Sequence, residues 1–330
     1  MKEIKVGIIG TGGIAANFAK ACAMTVGITA VGVSSRSVEN GRKFADANGL
    51  EIVYDGAQAL VDDPQIDLVY VAIPHSVHYE HCLMALRAGK HVLCEKPMCL
   101  NRRDAEHLFA EAKARGLLLM EGMWSRFLPN NILAKQWIDD GEIGDVRFID
   151  GSFSFRVDPE HPIPRLVEYE QAGGAVFDLG VYTVEMASWF AGADPIAWTG
   201  SCVPWTDGVD GASVFTLQYP GNLLATVRQG LYCDAPADMT IFGTKGRIEL
   251  SRFFSGRGAR LIVDEKVVKE SDIDCELPKG FTWEAAAVRD YIRNGVTESP
   301  VVSKETTCNT AEILGDMMHR FFPDHYGPAK

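Results

Sequence analysis

What this chain lacks narrows the reading first. Its basic residues never run longer than two, and Lys plus Arg total 32 against 44 Asp plus Glu, a formal net charge of −12. A duplex-binding surface needs clustered cations facing phosphates, so nucleic acid is not an expected partner. No apolar stretch approaches the ~18 residues that cross a bilayer, and no membrane partner is expected. The apolar stretch at 4–9, after Lys2, is shorter than the ~7–15-residue core of a secretory signal. The eight cysteines, at 22, 82, 94, 99, 202, 233, 275 and 308, form no Cys-x-x-Cys. That scatter suits reduced thiols in a cytoplasmic enzyme. Internal repeats and low-complexity linkers are missing too.

Apolar material is plentiful. Of 330 residues 47% are hydrophobic and 23% charged, enough for about two domains at roughly 150 residues each. Up to about residue 122, short apolar runs at 4–9, 28–34, 52–54, 68–73, 91–94 and 117–120 alternate with helical stretches at 14–24, 38–48, 57–61, 76–88 and 102–115. Strands that are apolar on both faces cannot alternate, so this pattern predicts a doubly wound parallel sheet of the Rossmann type over 1–122. Beyond it, a helix near 131–140 and a strand at 146–155 precede a helix at 175–190. Strands at 197–203, 212–218, 223–230, 239–243, 247–250 and 260–263 then follow without intervening helices, which implies largely antiparallel pairing. Helices at 283–293 and 306–321 close the chain. The fold class is α/β, with a second α/β domain over 123–330.

Gly10-Thr11-Gly12-Gly13-Ile14-Ala15 joins the first strand to the first helix. Gly10 permits the tight turn, Gly12 lets backbone approach a pyrophosphate, and Ala15 allows close helix–strand packing. The helix N-terminus then offers unpaired N–H groups to the phosphates. The second strand ends Ser35-Arg36-Ser37, with no acid at the position that would hold a ribose 2′-hydroxyl. Arg36 can pair with a 2′-phosphate and the two serines can donate to it, which favours NADP over NAD. The bland alternative is a solvated Arg before a helix capped by Ser37. Cys94-Glu95-Lys96-Pro97 ends the fifth strand, on the side of an open parallel sheet where ligands bind, and Pro97 restricts the backbone of Lys96. Pro74-His75-Ser-Val-His78 has a spacing compatible with metal, but no third ligand is near. It reads as a histidine pair lining the cofactor crevice, and no metal is expected.

The glycine motif, the run 88–97, and Gly173-Gly174-Ala-Val-Phe-Asp178-Leu-Gly180-Val-Tyr182 together resemble the glucose–fructose oxidoreductase/inositol dehydrogenase family over nearly the whole chain. Within it the chain is similar to the branch of dimeric dihydrodiol dehydrogenases and NADP-dependent D-xylose dehydrogenases, through Met123-Trp124-Ser125-Arg126-Phe127-Leu128-Pro129 and Gly280-Phe281-Thr282-Trp283-Glu284-Ala285. The resemblance implies a Rossmann domain followed by a domain whose large sheet often forms a dimer interface, hence a homodimer or higher oligomer. Two departures stand out: Tyr182 replaces the commoner family His, and His75 stands where many members have Asn.

The chemistry of the residues agrees. Asp178 and Tyr182 lie four apart on an expected helix, so both project from one face. A phenol with an ordinary pKa near 10 needs a neighbouring cation to serve as a base, and the resemblance places Lys96 beside it. Tyr182 would then exchange the substrate hydroxyl proton while Asp178 orients the pair or the substrate. Trp124, Arg126, Phe155 and Phe281 are the candidate substrate residues, and Pro74, His75, His78 and Glu95 join the glycine loop as candidate cofactor residues. Arg156, Asp158 and His161 fall in a Pro-rich segment of unassigned role. The expected activity is hydride transfer with a sugar, cyclic polyol or trans-dihydrodiol. A ketosugar or dicarbonyl reductase of the same fold, and a non-catalytic NADP-bound sensor, are the alternatives.

Overall fold

The computed structural model describes residues 2–326. The chain divides into two compact units, Met1–Cys99 with Arg103–Trp124 and Glu276–Cys308, and Leu100–Arg102 with Ser125–Cys275 and Asn309–Lys330.

The first unit is built on a six-stranded sheet in the order β3-β2-β1-β4-β5-β6. Its strands β1 (Ile4–Ile9), β2 (Ile28–Ser35), β3 (Ile52–Asp55), β4 (Leu68–Val71), β5 (His91–Glu95) and β6 (Leu119–Gly122) alternate with α1 (Gly13–Met24), α2 (Val38–Asn48), α3 (Ala57–Asp62), α4 (His78–Arg87) and α5 (Arg102–Arg115). Every pairing is parallel. All four residues of β4 are buried, which is why its sequence shows no alternation. The strand order reverses between β1 and β4, so the crevice beyond their carboxyl ends is the natural ligand site of this sheet. Gly10, Pro74 and Lys96 all lie there, just past β1, β4 and β5.

The second unit begins with α6 (Pro129–Asp139), β7 (Val146–Ser154) and α7 (Pro164–Val167), and continues through α8 (Val181–Ala191). Seven strands follow: β8 (Ala197–Thr206), β9 (Val209–Tyr219), β10 (Leu223–Gly230), β11 (Met239–Gly243), β12 (Arg247–Ser251), β13 (Gly258–Val263) and β14 (Lys266–Ser271). With β7 they form one eight-stranded sheet, β14-β13-β12-β11-β7-β10-β9-β8. It is antiparallel except where β7 lies parallel to β10. The sequence pattern does not reveal β14, because all but the last of its residues are exposed and an unburied edge strand carries no apolar alternation. The residues at 264 and 265 between β13 and β14 both have positive φ, as a two-residue hairpin turn requires. The helix expected at 175–190 is also different in kind. Val176–Gly180 is π-helical, and the α-helix proper starts at Val181.

The chain closes with α9 (Phe281–Arg293), α10 (Lys304–Phe321) and α11 (Pro323–Tyr326). The sequence rhythm groups 276–308 with the second domain, yet this stretch completes the first unit. The Phe281 ring meets Phe18 of α1 at 6.0 Å. Arg289 donates to the carbonyl of Val26 (2.6 Å), and Arg293 to those of Lys2 (2.8 Å) and Gly27 (3.1 Å). Such contacts join residues far apart in sequence, and no local pattern announces them.

On the buried side of α9, Glu284 is fully enclosed and neither carboxylate oxygen has a hydrogen-bond partner among the described residues. Burial, with a smaller contribution from the Glu95 charge, pushes its carboxyl well above the ordinary value of 4.5. An acid whose pKa rises on folding costs the fold stability above its unfolded pKa, and the cost grows with pH until the folded value is passed. Glu284→Gln is therefore expected to gain stability over the wild type as the pH rises above about 4.5, reaching about 1–3 kcal/mol. Thermal unfolding of both proteins between pH 5 and pH 8 reads this directly, and parallel curves would show that Glu284 carries no such cost.

Candidate active site

In the first unit the candidate cofactor residues lie in the crevice of the parallel sheet. Gly10 has φ +118°, and a Cβ there would stand 2.1 Å from the Ala72 carbonyl oxygen, so the turn admits only glycine. Gly12 and Gly13 are the opposite case, because a Cβ at either would meet nothing within 4 Å. The loop therefore leaves open space in front of α1, whose N-terminus has no side-chain cap and no acid in its first turn. Ala15 is fully buried. An uncapped helix start behind a glycine cradle fits a pyrophosphate. Thr11 and Ile14 flank those glycines.

At the end of β2, Ser37 caps α2, accepting from the Asn40 N–H at 3.4 Å. The Ser35 hydroxyl donates to the Ser37 carbonyl (2.5 Å). These serines thus fix the turn. Arg36 is exposed between them, with no side-chain partner among the described residues, and Glu39 is held by Lys43 at 2.7 Å.

Beyond β4 and β5 the structure departs from the expected histidine pair. His75, in a 3-10 turn, is 8% exposed, whereas His78 is entirely buried. The His78 Nδ1 lies 2.9 Å from the Pro97 carbonyl and its Nε2 lies 2.8 Å from that of Ile73. Burial lowers its pKa to about 4, so the ring is neutral and donates to one carbonyl at a time. Both nitrogens face backbone, so His78 holds the turn after Lys96 rather than reaching a ligand. Lys96 and Glu95 are both buried, and Tyr70 on β4 donates to Glu95 Oε1. Trp124 packs on Phe281 at 5.1 Å. Phe281 itself has no exposed surface, which makes it core of the first unit and not the pocket wall expected of it.

In the second unit the candidate residues Asp178 and Tyr182 lie on the π-helical turn and α8. Asp178 is buried and its Oδ1 accepts from Arg165 Nη1 at 2.8 Å. Four residues on, the Tyr182 ring packs edge-on against Phe153 (5.6 Å) and Phe254 (6.2 Å), which stack on each other at 4.1 Å. Phe155 is half-buried beside Phe153 at 6.3 Å. Arg126 is not open to a substrate. It is buried, pairs with Glu185 at 3.2 Å and lies 5.1 Å over the Trp189 ring. Burial raises the Glu185 carboxyl in spite of that cation. Arg156, Asp158 and His161 are exposed. Among the described residues no three His, Cys, Asp or Glu are grouped as a metal site, and no helix is long and apolar enough to cross a membrane.

Comparison with known proteins gives this geometry a family. Residues 4–123 match the family described as an oxidoreductase family with an NAD-binding Rossmann fold, and residues 132–249 match the GFO/IDH/MocA C-terminal domain. The chain belongs to the GFO/IDH/MocA oxidoreductase family. Among its relatives, the trans-1,2-dihydrobenzene-1,2-diol dehydrogenase of Xenopus laevis is 32% identical over 325 residues, covering 96% of this chain and 97% of that protein. The mouse (Mus musculus) enzyme of the same name is 32% identical over 293 residues, 86% of each. A 3-ketoreductase from Actinomadura kijaniata, solved with NADP and TDP-benzene, is 27% identical with TM-score 0.85, covering 95% of this chain and 96% of that one. Levoglucosan dehydrogenase with NADH and levoglucosan shares the fold, with TM-score 0.87 at 19% identity and 98% coverage of each chain.

Three residues of this family member escape the sequence reading. Phe153 is two residues before the candidate Phe155 on the strand expected at 146–155, so the period-2 rule gives both the same face. Phe254 belongs to the Phe253-Phe254 doublet after β12, and Arg165 sits in the Pro-rich segment whose role the pattern leaves open. Neither carries a periodic signal.

Proposed function

We propose that the protein is an NADP-dependent dehydrogenase or reductase of a CH–OH group in a trans-dihydrodiol, sugar or cyclic polyol, with Lys96 and Tyr182 as its proton-transfer pair. The observation that carries this reading is the Tyr182 phenol, walled by Phe153 and Phe254 on the segment that also holds the Arg165-bound carboxylate of Asp178. The nicotinamide cofactor, when bound at the Gly10–Gly13 loop, supplies the hydride acceptor or donor. Tyr182 takes the hydroxyl proton in oxidation and returns it to the carbonyl oxygen in reduction. The Lys96 ammonium favours the phenolate, and Asp178 orients the substrate hydroxyl. The aromatic walls suit a flat ring or a sugar face. The dihydrodiol dehydrogenase relatives support the diol class, and the likeness to a 3-ketoreductase supports reduction of a ketosugar as the second reading.

The unpartnered Arg36, with Glu39 held by Lys43, supports NADP. Arg36→Asp is expected to weaken NADP binding by about 100-fold, a few kcal/mol, while NAD binding holds or improves. Equal wild-type affinity for the two cofactors would remove the preference. The decisive experiment follows cofactor absorbance with NADP and NAD across trans-dihydrodiols, pentoses, hexoses and inositols, in both directions. Turnover with NADP and one of these classes is expected. Tight NADP binding without any turnover points instead to a sensor.

The oligomer we propose is a homodimer through the outer face of the large sheet. Leu224, Phe148 and Phe242 are register partners on three adjacent strands, and all are exposed. Such a contiguous apolar patch favours an interface. The scattered cysteines, seven of the eight buried, suit a reducing, cytoplasmic compartment.

A further inference from the structure

The segment that carries Asp178 and Tyr182 is gripped from the sheet at two points. At its start, the Val176 N–H donates to both carboxylate oxygens of Asp210 on β9, at 3.1 and 3.2 Å. The grip is close enough that a Cβ on Gly174 would stand 2.4 Å from Asp210 Oδ1, which explains a glycine at that place. At its far end, the Thr183 hydroxyl, next to Tyr182, donates to Gln229 Oε1 on β10 at 2.9 Å. Gln229 Nε2 donates to the Ser213 hydroxyl at 2.6 Å, and the Ser213 side chain favours the ionised Asp210 carboxylate. Thr183, Gln229 and Ser213 are thus joined by hydrogen bonds that run in one direction, beside the Asp210 carboxylate. All four residues are buried, Asp210 and Thr183 completely. Nothing in the sequence pattern singles out Asp210, Ser213 or Gln229.

We propose that Asp210, Ser213 and Gln229 form a clasp that holds residues 176–183 in their π-helical and α-helical arrangement, with Asp210 as its anchor and positioning residue for Asp178 and Tyr182. The catalytic consequence rests on the proton-transfer role given to Tyr182 above; the clasp itself does not. A π-helical turn is seldom stable alone and needs support from outside the helix. The clasp supplies it at both ends.

The same geometry makes the grip sensitive to protons. Among the described residues, the titratable groups that feel the Asp210 charge include Cys202 from β8, Tyr232 beyond β10 and Tyr326 from α11. None of these three carries positive charge, and the Val176 N–H donates to both oxygens of the buried carboxylate. Burial pushes its carboxyl up to about 7. A proton on Asp210 turns one acceptor oxygen into a donor, and the Val176 N–H, which bonds to both oxygens, cannot accept from it. Below about pH 7 the grip loosens.

Amide hydrogen exchange of the unliganded protein, read on a peptide covering 174–183, tests this without any turnover. In Asp210→Asn the peptide is expected to exchange about tenfold faster than wild type at pH 8, the scale of one lost charge-assisted hydrogen bond. Wild-type protection, corrected for intrinsic rates, should fall as the pH drops through about 7, and Asp210→Asn should lack that dependence. Ser213→Ala, which removes one hydroxyl, should show a smaller change of the same sign and serves if Asp210→Asn does not fold. In the active protein, Asp210→Asn should lower kcat about tenfold without weakening NADP binding. Unchanged exchange in both variants, or wild-type protection independent of pH between 6 and 8, overturns the clasp. A wild type that turns over no substrate overturns the proposed function and leaves the exchange result standing.

Discussion

Tyr182→Phe is expected to lower kcat by about 10²–10⁴-fold, the usual worth of a positioned acid–base group, with NADP affinity and unfolding temperature unchanged. The substitution removes one oxygen and its proton and keeps the ring edge-on against Phe153 and Phe254. Packing is thereby separated from chemistry. Tyr182→His sharpens the test. Imidazole has an ordinary pKa near 6.5, so partial rescue should come with an optimum moved toward neutrality. If Phe is harmless at this position, Tyr182 is an aromatic wall and the proton must pass through another group, with Lys96 first in line.

The second large effect concerns Lys96→Ala. Turnover should fall by at least about 10²-fold while NADP still binds, because the glycine cradle and the start of α1 are untouched. Removing an ammonium raises the pKa of a phenol that depends on it, so residual activity should rise toward alkaline pH. Tyr182→Phe should show no such alkaline recovery. Wild-type turnover with an unshifted pH profile would reduce Lys96 to a buried cation at a strand end.

Much of the fold is legible in the sequence, and the reasons are physical. The parallel sheet announces itself because strands buried on both faces have no room for polar residues, and β4 is the clearest case. The glycine loop is legible because Gly10 has no steric alternative. Long-range partners are not legible in the same way. Arg126 looks like a substrate residue until Glu185 and Trp189, some sixty residues on, are found closing around it. His78 looks like a cofactor residue until its two nitrogens are seen on backbone carbonyls. Phe281 reads as a pocket wall because its motif resembles one, while its ring belongs against Phe18. A residue type and its spacing specify what a side chain can do. Whether it is free to do it depends on neighbours that the local sequence does not name.

The return of 276–308 to the first unit also bears on the order in which the protein is made. The six strands of the first sheet leave the ribosome well before α9, and Phe18, whose ring stacks on Tyr70 of β4 at 4.0 Å, gains its edge contact with Phe281 only when α9 arrives. The carbonyls of Lys2, Val26 and Gly27 likewise wait for Arg289 and Arg293. Until α9 emerges this half of the nascent chain therefore lacks the contacts of Phe281, Arg289 and Arg293, and it reaches its final form only after residues 125–275 of the second unit have been made.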